Sequence, residues 1–132
     1  MTVAVSTMFI PVHDPEEALG FYRDVLGLEV RNDVKRGKFR WVTVGARGQD
    51  LDVVLSQPHG GRSQEDGDVL LELVTKGSIQ AAIFAATDLD ETFEHVVASG
   101  AEVLEEPKSQ PWGVRDCAVR DPSGNLIRIA QA

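Results

Sequence analysis

Short runs in which apolar and polar residues alternate are separated by stretches in which apolar residues return at helical spacing. Residues 5–12 alternate: Met8, Ile10 and Val12 share one face, Thr7, Phe9 and Pro11 the other. This predicts a strand. Asp14 then offers an N-cap, Pro15 suits the first helical position, and Glu16 and Glu17 complement the helix dipole. Ala18, Phe21, Tyr22 and Val25 follow at helical spacing, and Gly27 ends the helix. Leu28-Glu29-Val30 opens a second strand, and the polar run Arg31 to Gly37 predicts a turn. From Phe39 to Val44, Val42 and Val44 oppose Phe39, Trp41 and Thr43. A fourth strand, Leu51 to Ser56, sets Val53 and Leu55 against Asp52, Val54 and Ser56.

Residues 57–67, rich in glycine and polar side chains, read as a mobile linker, and Val69, Leu70, Leu73 and Val74 as a short helix ended by Gly77, with Gly67 weakening its start. The opening pattern then returns. Ala82, Phe84 and Ala86 alternate with Ala81, Ile83 and Ala85. Asp88 or Asp90 caps a helix carrying Phe93, Val96 and Val97, which ends at Gly100. Ala101 to Leu104 is a strand, Glu105 to Pro111 a loop, and a hairpin closes the chain around Asp121-Pro122-Ser123-Gly124-Asn125, whose residues all favour a turn. In the last strand Ile127 and Ile129 oppose Arg128.

The two caps lie 88 − 14 = 74 residues apart, too long for a solenoid unit, so the chain reads as a duplicated βαβββ module. The expected fold is α+β: two βαβββ modules paired into a curled mixed sheet around a cleft, helices outside. Module one spans 1–56, a linker with a short helix 57–78, and module two 79–132. Met8, Ile10, Val12, Val42, Val44, Val53, Leu55, Ala82, Phe84, Ala86, Ile127 and Ile129 should pack against the helices. Thr7, Phe9, Trp41, Thr43, Asp52, Val54, Ala81, Ile83 and Arg128 should face the cleft.

Length and charge narrow the function. The 132 residues fit one domain with a real core. Thirteen basic against 21 acidic residues give a net charge of −8, which argues against nucleic acid and anionic membrane as partners. A single cysteine, Cys117, excludes an internal disulfide and points to a reducing compartment. The N-terminus shows no signal-peptide pattern and no apolar run approaches membrane-spanning length. The expectation is a cytoplasmic soluble domain.

Two motifs carry a family resemblance: Gly20-Phe21-Tyr22-Arg23-Asp24-Val25-Leu26-Gly27-Leu28-Glu29-Val30 after an apolar strand and Asp14, and Asp121-Pro122-Ser123-Gly124-Asn125-Leu126-Ile127 near the end. With the repeat, they resemble the vicinal oxygen chelate superfamily, which includes glyoxalase I, extradiol dioxygenases, fosfomycin resistance enzymes and bleomycin-binding resistance proteins. The resemblance implies a cleft metal held by His, Glu or Gln and chelating two substrate oxygens. Carried over one by one, the ligand positions fall on Thr7, on Asp52 or Val54, on Ala81 with Gln80 beside it, and on Arg128 where Glu is usual. Alanine cannot ligate and arginine only donates. The expectation is therefore no cofactor, with a divalent metal as the alternative.

Arg128 invites two readings that can coexist: an internal ion pair, with Asp52 as the suggested partner, or a fork for a ligand carboxylate or phosphate. His13, His59 and His95 lack metal-pair spacing, and His59 as a general base at the cleft mouth is a minority reading. Trp41 and Trp112 are candidates for stacking on a planar ligand, against a core role. Cys117 reads as a buried structural thiol, and the acidic groups, Glu105-Glu106 among them, as solvated charge. The site expected is a ligand pocket of Thr7, Phe9, Trp41, Asp52, Val54, Ala81, Ile83, Trp112 and Arg128, with no metal and no assigned catalytic residue. The partner is a small molecule, and a homodimer is expected by resemblance. The alternative is a metal-dependent lyase or dioxygenase.

Overall fold

The computed structural model describes residues 2–132 and divides into two compact units, Met1–Glu72 and Leu73–Ala132. The break falls inside the stretch read as linker and short helix. Each unit carries its own four-stranded mixed sheet, so the architecture is α+β and built from two βαβββ modules.

In the first unit, β1 (Thr7–Pro11) leads into α1 (Pro15–Leu19), capped by Asp14, whose carboxylate accepts from the Glu16 N–H at 2.9 Å. The helix widens into a π-helical turn over Gly20–Val25. Strands β2 (Glu29–Arg36), β3 (Phe39–Gly45) and β4 (Asp52–Ser56) complete the sheet in the order β1-β4-β3-β2, with β1 parallel to β4 and the other pairs antiparallel. The alternation read from the sequence sorts its faces. Ile10, Val12, Val42, Val44 and Leu55 are buried with Leu19, Phe21 and Tyr22, whose two rings meet edge to face at 5.0 Å.

Met8 departs from the expected pattern: it is about half exposed, at the start of an edge strand. Of the polar run Arg31 to Gly37, residues 31–36 belong to strand β2, and the expected turn is confined to Gly37 and Lys38. As an edge strand mostly open to solvent, β2 lacks the one-sided burial that makes a strand legible. A bulge at Arg31 breaks its register, and the guanidinium there covers Gly45, where any Cβ would overlap it.

Helix α2 (Gln64–Thr75) starts five residues before the first apolar position expected of it, because the Ser63 hydroxyl accepts from the Asp66 N–H at 3.1 Å and Glu65 and Asp66 complement the dipole.

In the second unit, β5 (Gln80–Ala86), α3 (Leu89–Ala98), β6 (Val103–Ser109), β7 (Arg115–Arg120) and β8 (Leu126–Gln131) repeat the plan, with sheet order β5-β8-β7-β6. Of the two caps considered, Asp88 is used: it accepts from the Glu91 N–H at 3.1 Å. Leu89, Val96, Cys117, Val119, Ile127 and Ile129 form the core. Residues 105–109, expected as loop, extend β6, with bulges on either side of Glu105.

The turn between β7 and β8 is held by one carboxylate. Asp121 Oδ1 accepts from the N–H groups of Ser123, Gly124 and Asn125 at 2.9–3.0 Å, and Oδ2 from Asn125 Nδ2 at 2.8 Å. Gly124 has φ +109°, and a Cβ there would lie 2.5 Å from the Val74 carbonyl at the end of α2. The motif that identifies the family from sequence is thus where turn and helix back onto one another.

Candidate functional site

Each sheet has one face packed on its helix and one face left open. On the open face of the first unit, cross-strand rows set Thr7 beside Asp52, Phe9 beside Val54 and Val54 beside Thr43, with Trp41 paired to Ser56. Phe9 is 66% exposed, whereas Ile10 behind it is 2% exposed. Trp41 is half-buried. Its ring meets Phe39 at 6.4 Å and closes over Gly60, where a Cβ would come within 3.0 Å of the indole.

Asp52 is held within its own unit. Its carboxylate accepts from Arg31 Nη1 at 2.8 Å, while the same guanidinium donates to the carbonyls of Ala46, Gln49 and Leu51 at 2.6–3.1 Å. Arg31 thereby ties the β3–β4 turn to the start of β4.

On the open face of the second unit, Ile83, Arg128 and Ala118 form one row. Ile83 is 64% exposed. Ala81 sits at a bulge between Gln80 and Ala82, and the cross-strand neighbour of Arg128 on β5 is Ile83. Arg128 has counter-charges within its own unit. Its Nη1 lies 3.3 Å from Asp116 and 3.6 Å from Glu105, both in its own unit. Gln110 Nε2 donates to both carboxylates, to Asp116 at 2.8 Å. The Gln110 hydrogen bond is the first cause holding the Glu105 carboxyl below its usual range, and the Lys108 and Arg128 charges add to it. With two carboxylates already on it, this guanidinium is poorly placed to attract an anionic ligand.

Sequence reasoning missed this network because it counted Glu105 as solvated charge in a loop. A legible signal existed in Asp116, which falls on the opposite face of β7 from the core residue Cys117. Trp112 stands at the tip of the β6–β7 turn and is 66% exposed. Cys117 is fully buried, and burial pushes its thiol up, as for an inert structural cysteine. His59, expected in a mobile linker, bonds Asp68 through Nε2 at 2.8 Å, which requires the proton on that nitrogen if the ring is neutral.

The donor set does not fit a metal of the kind the fold suggests. Thr7 offers a hydroxyl, Asp52 is engaged by Arg31, Ala81 offers nothing, and Arg128 only donates. Among the described residues no three His, Cys, Asp or Glu side chains converge as ligands would.

Residues 4–129 match the Glyoxalase/Bleomycin resistance protein/Dioxygenase superfamily. The chain belongs to that superfamily. A curated relative, the uncharacterized protein YurT of Bacillus subtilis (strain 168), is 30% identical over 134 residues, covering 99% of each chain. Among solved structures, that of UcmS2 is similar with a TM-score of 0.86 and 30% identity over 98% of both chains. TnmS3 from Streptomyces sp. CB03234, described as an antibiotic binding protein, has a TM-score of 0.76 and 26% identity over 98% of this chain and 96% of that one. Superfamily membership fixes the fold and leaves the chemistry to the site. No helix among the described residues is long and apolar enough to cross a membrane.

Proposed function

We propose that this superfamily member is a cytoplasmic small-molecule-binding protein of the bleomycin-resistance kind, working as a homodimer and without a resident metal. The observation that carries the reading is the state of Arg128: the position where the superfamily's carboxylate ligand is expected holds a guanidinium already neutralised by Asp116 and Glu105. The open face of each unit is apolar and aromatic, with Phe9 and Val54 on the first and Ile83 on the second exposed or half-exposed and Trp112 exposed at a turn of the second, surfaces suited to an aromatic ligand rather than to an anionic substrate. Thr7, Trp41, Asp52, Ala81 and Arg128 complete the proposed ligand-contacting set. The likeness to an antibiotic binding protein supports the same class.

Thermal-shift screening against glycopeptides, enediynes and aromatic metabolites tests it. A ligand at a hundred times its Kd adds about 2.7 kcal/mol and raises Tm by roughly 8 °C. A screen with no shift removes the reading. A stoichiometric Fe, Mn, Ni or Zn signal in protein purified without chelator would replace it with a metal-dependent lyase or dioxygenase.

A further inference from the structure

The buried amide of Gln110 has a role that the binding reading leaves unassigned. Its main chain closes the turn that carries Trp112: the Gln110 carbonyl accepts from the Gly113 N–H at 3.0 Å, and the Gln110 N–H donates to the Val114 carbonyl at 2.7 Å. Gly113 supplies the positive φ that the turn requires, at +92°. The side chain points the other way, into the protein, and is 8% exposed. There it donates to Glu105 and Asp116, the two carboxylates gathered on Arg128.

The hairpin needs such an anchor. Between Glu105 and Lys108, β6 gains one residue on β7, since Glu105 pairs with Ala118 but Lys108 with Asp116. Pro107, in the middle of this irregularity, has no N–H to give the ladder. Beyond it only the pairs Lys108–Asp116 and Ser109–Arg115 join the two strands before the turn. A bulge lets a strand pair bend, so two remaining pairs fix the tip's angle weakly.

We infer that Gln110 is a positioning residue: bridging Glu105 and Asp116, it locks the β6–β7 turn and presents the exposed Trp112 indole in one orientation to a planar ligand. This rests on the reading of Trp112 as a ligand-contacting residue. Ordering a mobile tip on binding costs affinity, and an anchor that orders it beforehand removes that cost.

The test compares the full chain with and without Gln110→Met, similar in length but unable to donate; for fluorescence both also carry Trp41→Phe, which leaves Trp112 as the sole tryptophan, while binding is measured with Trp41 in place. Time-resolved anisotropy reads the motion of the indole, and proflavine, a planar acridine, serves as the binding probe. In Gln110→Met a fast depolarising component should appear and the proflavine Kd should rise about fivefold. A rigid Trp112 in Gln110→Met overturns the inference. So does an unchanged Kd in that variant when Trp112→Ala weakens binding. If proflavine binds Trp112→Ala as tightly as it binds the parent, the ligand role of Trp112 is what fails, and the anisotropy alone decides the positioning. Should Gln110→Met not fold, Gln110→Asn makes the same comparison, because its shorter amide cannot reach both carboxylates.

Discussion

Gly67 lies inside helix α2, and replacing it with alanine should destabilise the protein, opposite to what helix propensity alone dictates. In a helix interior Gly→Ala is worth about 0.8–1 kcal/mol in favour of alanine. Here the His59 ring lies flat against the glycine: a Cβ would overlap Cδ2 and come within 2.6 Å of Cγ. The ring cannot simply lean away, because Nε2 is bonded to Asp68 at 2.8 Å one residue further along the helix. The loop behind it is wedged at Gly60 under Trp41. Displacing His59 forfeits the Asp68 contact. It also imposes the overpacking cost of about 1–3 kcal/mol. The net expectation for Gly67→Ala is a loss of about 1 kcal/mol in urea unfolding at pH 7. In a His59→Ala background the same substitution should become stabilising by about 0.8 kcal/mol, so the two changes couple by roughly 2 kcal/mol. Additive effects, or a stabilised Gly67→Ala single variant, would refute the packing of His59 on α2.

Asp121→Ala removes the acceptor of three backbone N–H groups and one side-chain amide in a buried turn. It should cost about 3 kcal/mol in chemical denaturation, with Asp121→Asn losing less. The Gln110 anchor should loosen in acid. Glu105 has its carboxyl lowered from 4.5, so its contribution is complete above that value and lost as pH falls through the still lower folded value. Trp112 anisotropy in the Trp41→Phe protein should therefore hold from pH 7 to about 4.5 and fall below it. A fall centred near neutrality would assign the anchor to another group.

What the sequence disclosed follows one-sided burial. Ile10, Val42, Leu55, Ile127 and Ile129 could be placed because each alternates with a residue on an open face, and the two caps because Asp14 and Asp88 stand before helical spacing. Of the edge strand β2 only the start at Glu29 and Val30 was legible, for the opposite reason: nearly all its side chains meet water, so nothing selects period two. Bulges hid the rest. At Ala81 and around Glu105 the register shifts, so strict alternation along the chain does not carry through.

The arginines show why a charge on a bare sheet face is a weak pointer to a site until its neighbours are known. From the sequence, Asp52 was the suggested partner of Arg128 in one of its two readings. In the fold each finds its counter-charge locally, and the two solutions differ in kind. Arg31 serves backbone carbonyls as well as Asp52, so its work is to hold a turn. Arg128 makes no such backbone bonds among those resolved for it; its partners are two carboxylates that share a glutamine amide with the base of an exposed tryptophan turn. A buried ion pair contributes little net stability once desolvation is counted, and is better justified by the geometry it fixes. The Arg128 position thus gathers Asp116, Glu105 and Gln110 into one polar cluster, which reaches the turn carrying Trp112 through the Gln110 main chain.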